Sequence, residues 1–163
     1  MLIEVLSGAA CAAGVMAYGV RGRSARLFGA SVWRGPRDRS SIALTFDDGP
    51  SEATSDLLDV LDEHQVRATF FHCGLNVERL PEVAREVTAR GHEIGNHSHS
   101  HPRFYLRSGR FLYEELARAQ EAIHGATGRR PVLFRAPQGT RWPGLAEAQR
   151  RLGLLGVMWT VLG

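Results

Sequence analysis

From Ser41 to the C-terminus, short apolar runs alternate with longer segments whose apolar residues recur every three or four positions. The runs predict buried strands and the striped segments amphipathic helices. Ile42–Phe46 is the first predicted strand. Ser51 or Thr54 can cap a helix running to about His64, with Leu57, Leu58 and Leu61 on one face. Arg67–His72 is a second strand. Pro81, which has no N–H to leave unpaired, opens a helix that runs to Arg90 and stops at Gly91. His92–Asn96 is a third strand. The longest helix runs from Ser108 to about Ala126, with Leu112, Leu116, Ala119 and Ile123 in one stripe. Val132–Phe134 is a fourth strand, Trp142–Leu152 a helix stopped by Gly153, and Leu155–Val161 a fifth strand. Strands and helices in strict alternation imply an α/β fold, a parallel sheet with right-handed crossovers.

The first forty residues break this pattern. Val5 to Val20 carry no charge and are rich in Ala and Gly. As a helix the run would span roughly 24 Å, against roughly 30 Å of bilayer hydrocarbon. It therefore fits a short membrane anchor, the core of a signal peptide or a buried helix. No basic residue precedes it, which is poor for a signal peptide. Hydropathy favours membrane attachment through residues 1–21, and Arg21, Arg23 and Arg26 favour a cytoplasmic C-terminal side. Residues 22–40 are rich in Arg, Gly and Ser, include Pro36, and read as a linker. Residues 41–163 are left as the folded domain.

A chain of 163 residues suffices for one domain with its own core. The formal charge is +3, and every basic residue is Arg. Without Lys there is no Schiff base, no pyridoxal phosphate anchor and no P-loop. The Arg residues are interspersed with acids, so no nucleic-acid face is indicated. Cys11 and Cys73 offer no disulfide framework.

Three stretches carry chemistry. The first is Thr45-Phe46-Asp47-Asp48-Gly49-Pro50, where a predicted strand ends on two carboxylates and the chain turns. Adjacent like charges are costly to desolvate unless their roles differ. A divalent cation on one would leave the other free as a base. Taken alone, the six residues fit a solvated turn equally well. The second stretch is Gly95-Asn96-His97-Ser98-His99-Ser100-His101-Pro102. His97 and His101, four apart, can present both rings to one ion, with His99 pointing away. With Asp48 they make a two-His, one-carboxylate set that leaves positions open for water and substrate. Zinc suits such a set, and the affinity order also admits cobalt or nickel. The third stretch is Phe134-Arg135-Ala136-Pro137-Gln138-Gly139, in which Arg135 is placed to orient Asp47 by a charge-assisted hydrogen bond. Each stretch starts at the C-terminal end of a predicted strand, the active face of a (β/α) barrel. His72 at a strand end can line the pocket, Cys73 reads as a small buried hydrophobe, and His92 and His124 read as loop or surface residues. Trp159, near a buried strand, reads as core.

In their order, "TFDDGP", "HSHSH" and "FRAPQG" resemble the polysaccharide deacetylases, the NodB-homology domain or carbohydrate esterase family four. Ala68-Thr69-Phe70-Phe71 and Gly91 to His97 are similar to that family as well, so the resemblance runs from about Ser41 to the last residue. It implies a distorted (β/α) barrel of about seven βα units, about five of them present here. It implies Asp48, His97 and His101 as ligands, with Ser98 as the small residue of a His-Ser/Thr-x-x-His pattern. Asp47 becomes the base, and the backbone N–H of Gln138, where the family usually has Tyr, the donor to the oxyanion. The implied activity is metal-dependent hydrolysis of N-acetyl groups on polysaccharides containing N-acetylhexosamine, peptidoglycan or chitin-like. The partner is an acetylated glycan, on which Trp142 could stack, and the location membrane-associated, cell-envelope or secreted. An extracellular glycan conflicts with the topology that the Arg cluster favours. The family's further Asp/Trp and Leu-x-His motifs are not found before Gly163, so a fragment or truncated product is expected. An O-acetyl esterase with the same site, or an inactive membrane-tethered remnant, are the competing readings.

Overall fold

The computed structural model describes residues 2–161. Six strands form one sheet: β1 (Ser31–Val32), β2 (Thr45–Gly49), β3 (Thr69–His72), β4 (Glu93–Asn96), β5 (Leu133–Phe134) and β6 (Leu155–Val157). Their order is β1-β6-β5-β4-β3-β2 and every pairing is parallel. The helices are α1 (Leu2–Arg21), α2 (Thr54–Glu63), α3 (Gly74–Arg79), α4 (Pro81–Ala89), α5 (Gly109–Thr127) and α6 (Leu145–Leu152). The α/β class and the parallel sheet are as expected. The edge strands β1 and β2 are not paired with each other among the described residues.

α5 is the support on which the site rests. Ser108 caps it by accepting a hydrogen bond from the Phe111 N–H, and Gly128 ends it in the left-handed region at φ 72°. Its stripe of Leu112, Leu116, Ala119 and Ile123 is fully buried. Leu112 and Leu116 join Phe104, Phe134, Leu145 and Leu154 in one core cluster, while Ile123 joins Val77, Ala84 and Ile94 in another. Burial of each Leu contributes about 1.5–3 kcal/mol.

Several boundaries differ from the sequence reading. The segment read as a linker contributes β1, which pairs with β6 at Ser31–Gly156 and Val32–Val157. Two residues carry no periodic signal, so their pairing is invisible locally. The first predicted strand lies three residues too early: Ile42 is 95% exposed, and the ladder runs through the two carboxylates. β6 ends at Val157, not Val161, and the short helix α3 was not predicted. In α1, residues 7–18 are exposed, so the buried-helix alternative does not hold. Among the described residues no helix is long and apolar enough to cross a membrane, and the expected membrane span finds no support there.

Candidate metal and catalytic site

β2 and β3 pair in register at Thr45–Thr69 and Phe46–Phe70, and next at Gly49–His72. β2 thus carries one residue more than its partner, a bulge that re-aims two successive side chains. Asp48 takes the left-handed conformation at φ 64°, which Asp tolerates better than most residues. Asn76 of α3 holds it by donating from Nδ2 to the Asp48 carbonyl at 2.6 Å. A Cβ at Gly49 would lie 3.0 Å from the buried His72 ring, a tight contact that glycine avoids.

At the end of β4 the chain enters the His97–His101 loop, in which Ser98 and His101 are also at positive φ. Glu115 of α5 fixes this loop. Its buried carboxylate accepts from the His99 N–H at 3.1 Å, the Ser100 N–H at 2.8 Å and the Ser100 hydroxyl at 2.9 Å. Asn96 accepts from the Ser98 N–H at 2.8 Å and donates to the Leu116 carbonyl at 2.9 Å. Sequence reasoning missed Glu115, although a signal was present: a Glu inside the apolar stripe, three residues after Leu112 and one before Leu116.

The two segments meet. Asp48 Oδ1 lies 3.3 Å from His97 Nε2 and 3.1 Å from His101 Nε2. Asp48, His97 and His101 each offer one ligand atom, all within 4.8 Å of one another. His97 Nδ1 lies 2.7 Å from the Arg135 carbonyl oxygen, which can only accept. Nδ1 therefore carries the proton and Nε2 turns its lone pair into the site, the usual support for a metal-binding imidazole. The donor set thus fits a divalent cation. With no cation bound and both imidazoles protonated, the hydrogen bond from His97 and the charges of the two rings would hold the Asp48 carboxyl below its ordinary range, against the opposing effect of burial.

Asp47 is adjacent but engaged elsewhere. Arg135 donates to its Oδ1 at 2.7 Å, to the Thr45 hydroxyl at 2.8 Å and to the Val157 carbonyl at 3.1 Å. The guanidinium sits 4.2 Å over the Phe71 ring and 5.5 Å from that of Trp159. Its side chain is 4% exposed and that of Asp47 29%, so Asp47 is the partner that offsets a buried cation. Gln138 is exposed at φ 52° in the one-turn helix Pro137–Gly139, and among the described residues its N–H makes no hydrogen bond.

The family model for polysaccharide deacetylase matches residues 34–157. The chain belongs to the polysaccharide deacetylase family. It is 33% identical over 133 residues to a peptidoglycan-N-acetylglucosamine deacetylase of Bacillus cereus, covering 81% of this chain and 48% of that protein. A family 4 carbohydrate esterase from Streptomyces lividans, solved in complex with acetate, superposes with a TM-score of 0.72 at 38% identity, over 74% of this chain and 62% of that one. A family 4 pseudoenzyme from Bacillus anthracis superposes with a TM-score of 0.77 at 27% identity, over 83% of this chain and 48% of that one. The chain thus spans about half the length of the Bacillus cereus relative. A deacetylase-type fold is shared by a protein described as a pseudoenzyme, so the side chains decide what this chain can do.

Around this site other expectations fall differently. His99 lies outside the ligand set, 1% exposed, with Nε2 3.9 Å from a Glu78 carboxylate oxygen. His72 is fully buried beside the site, and among the described residues neither ring nitrogen has a hydrogen-bond partner. Burial, with a smaller contribution from His97, pushes its pKa down to about 3. His92 is buried rather than on the surface, because Nδ1 accepts from the Ala68 N–H at 3.3 Å beneath Phe70. Cys73 is buried, and burial pushes its thiol up to about 12, as suits a small hydrophobe. Trp159 lies beyond β6, half-buried against Arg135 rather than in a strand. Trp142 is half-buried, with its ring edge-to-face to Tyr105.

Proposed function

We propose that this chain carries the metal and base half of an N-deacetylase site acting on polysaccharides that contain N-acetylhexosamine, peptidoglycan or chitin-like. The observation that carries the reading is the division of labour between neighbours: Asp48 points to His97 and His101, while Asp47 is held by Arg135. Asp48, His97 and His101 would hold the cation, for which zinc is the best fit and cobalt or nickel are admissible. A bound cation would supply a Lewis acid for water and for the acetamide carbonyl. Asp47 keeps Oδ1 on Arg135, which leaves Oδ2 to take the proton of the attacking water. The Gln138 N–H is free to donate to the oxyanion that develops as the carbonyl becomes tetrahedral. Cleavage of the C–N bond gives acetate and a free amino sugar. The similarity to an enzyme named for peptidoglycan N-acetylglucosamine and to an esterase solved with acetate supports this reading. A cell-envelope or secreted location follows from such a substrate, and fractionation of cells expressing the chain tests it.

The similarity to a pseudoenzyme supports a second reading, an inactive glycan-binding remnant. One assay separates the two: acetate release from chitotetraose with zinc present, for wild type and Asp47→Asn. The deacetylase reading expects release that falls ~10²–10⁴-fold in the variant with zinc binding unchanged. Undiminished release in the variant removes Asp47 as the base. A wild type that binds zinc but releases nothing supports the remnant.

A further inference from the structure

The base and the oxyanion donor of the proposed reaction stand on different elements: Asp47 on the β2 bulge, Gln138 in the one-turn helix that follows β5. Acyl transfer needs both at one fixed spacing about the reacting carbonyl, and an error of about 1 Å can cost ~100-fold in rate. We infer that Trp159 is a positioning residue that sets this spacing, and that residues 22–32, ahead of the matched domain, act on the site through it. The inference rests on the deacetylase reading and adds a residue to its machinery.

One indole meets both halves of the site. The Arg135 guanidinium lies 5.5 Å from the ring, within reach of a cation–π contact, and the same guanidinium donates to Asp47. The Cη2 edge of the ring meets Gly139, which sits at φ 64° and on which a Cβ would lie 2.6 Å from Cη2. Gly139 directly follows Gln138, and its N–H closes the turn on the Ala136 carbonyl at 2.8 Å. A displaced indole therefore disturbs the partner of the base and the turn that carries the oxyanion donor together.

Trp159 has no strand of its own, since β6 ends at Val157. Its backbone is instead tied on both flanks to the N-terminal segment. The Met158 N–H donates to the Val32 carbonyl at 2.8 Å, and the Thr160 carbonyl accepts from the Arg23 guanidinium. That segment is itself secured. β1 pairs with β6, and the buried guanidinium of Arg141 donates to the carbonyls of Gly22 and Ala25. The stretch with the composition of a linker thus holds the residue that spans the two halves of the site.

The test uses the full 163-residue chain. In its ¹⁵N NMR spectrum, Arg23→Gln should shift both the Arg135 Nε–H and the Gly139 N–H, although Arg23 bonds to the Thr160 carbonyl and to neither of them. In a Trp159→Leu background the same change should shift neither, a double-mutant cycle that needs no turnover. In acetate release from chitotetraose with zinc present, Trp159→Ala should lower kcat about tenfold or more while KM and zinc affinity stay within about threefold. Trp159→Phe, which keeps an aromatic face, should recover part of the loss. Arg23→Gln, on an exposed side chain, should lower kcat about two- to fivefold by the same route, and carries the kinetic test should Trp159→Ala not fold. Resonances unmoved by Arg23→Gln, or moved equally without the indole, overturn the inference. Acetate release indifferent to both Trp159→Ala and Arg23→Gln keeps the deacetylase reading and sinks the inference. Linked resonances in a chain that releases no acetate keep the indole as the link and sink the deacetylase reading.

Discussion

The loop from His97 to His101 is held from inside the molecule, while the bulge at Asp47 and Asp48 is held at its rim. The His97 side chain is 3% exposed and that of Asp48 68%. Behind the loop stands Glu115, a buried carboxylate receiving three donors from the loop itself. Behind the bulge stand one Asn76 hydrogen bond to a carbonyl and one ion pair to Arg135. The difference follows from what each group must do. An imidazole ligand loses little by burial if its second nitrogen is satisfied, and burial fixes its aim. Two adjacent carboxylates cannot both be desolvated without raising their proton affinity. Keeping them near water avoids that cost, with one placed for a cation and one for a proton.

The comparison breaks most visibly at the ligands. His97→Ala should weaken zinc binding by more than about 100-fold, beyond the usual ~10–100-fold for losing a supporting group. Next comes Glu115→Gln, which keeps the shape but removes the charge that three donors face. It should weaken zinc about tenfold and cost about 1–3 kcal/mol of stability, read from a zinc titration and a urea melt. Asn76→Ala at the rim should cost about 1 kcal/mol and move zinc affinity less than Glu115→Gln does. If Asn76→Ala proves the more damaging, the interior loop is not the more firmly supported half.

His72 lies beneath both segments and sharpens the comparison through pH. Its pKa is about 3 in the fold against an ordinary 6.5, so the unfolded chain takes the proton first. Its effect on stability is absent above about 6.5, and stability is lost as pH falls from there toward 3, by at most about 1.4 kcal/mol per unit. With zinc chelated, His72→Leu should flatten the change in urea midpoint between pH 7 and pH 4.5. An unchanged slope would place the acid sensitivity elsewhere. The smallest effect is at Cys73, the residue joining β3 to α3. Burial raises its thiol to about 12, so a thiol reagent at neutral pH should modify exposed Cys11 and spare Cys73.

The α5 stripe was legible because it rests on spacing within a few residues, and the grouping of Asp47, Asp48, His97, His101 and Arg135 because each lies at the end of an apolar run, in motifs that resemble a known family. Register was not. Ile42-Ala43-Leu44 looks like the interior of a strand, yet pairing with β3 starts at Thr45 and continues through the bulge. Nothing local says that a strand will accommodate an extra residue at a positive-φ Asp. β1 was missed because its partner strand, β6, lies at the other end of the chain, and because the Arg141 clamp on Gly22 and Ala25 exists only after folding. Glu115 and Asn76 share that limitation: each acts on a backbone group remote in sequence. His92 appeared to be a loop residue because its partner, the Ala68 N–H, belongs to another strand's approach.

The central claim is that two adjacent carboxylates have separate roles, and a competitive zinc titration of wild type, Asp48→Ala and Asp47→Asn tests it most directly. Wild type should take up one equivalent, Asp48→Ala should lose it, and Asp47→Asn should retain wild-type affinity within about threefold, since Asp47 touches Arg135 and not the ligand set. Tight binding by Asp48→Ala, or equal loss in both variants, would contradict the division of roles.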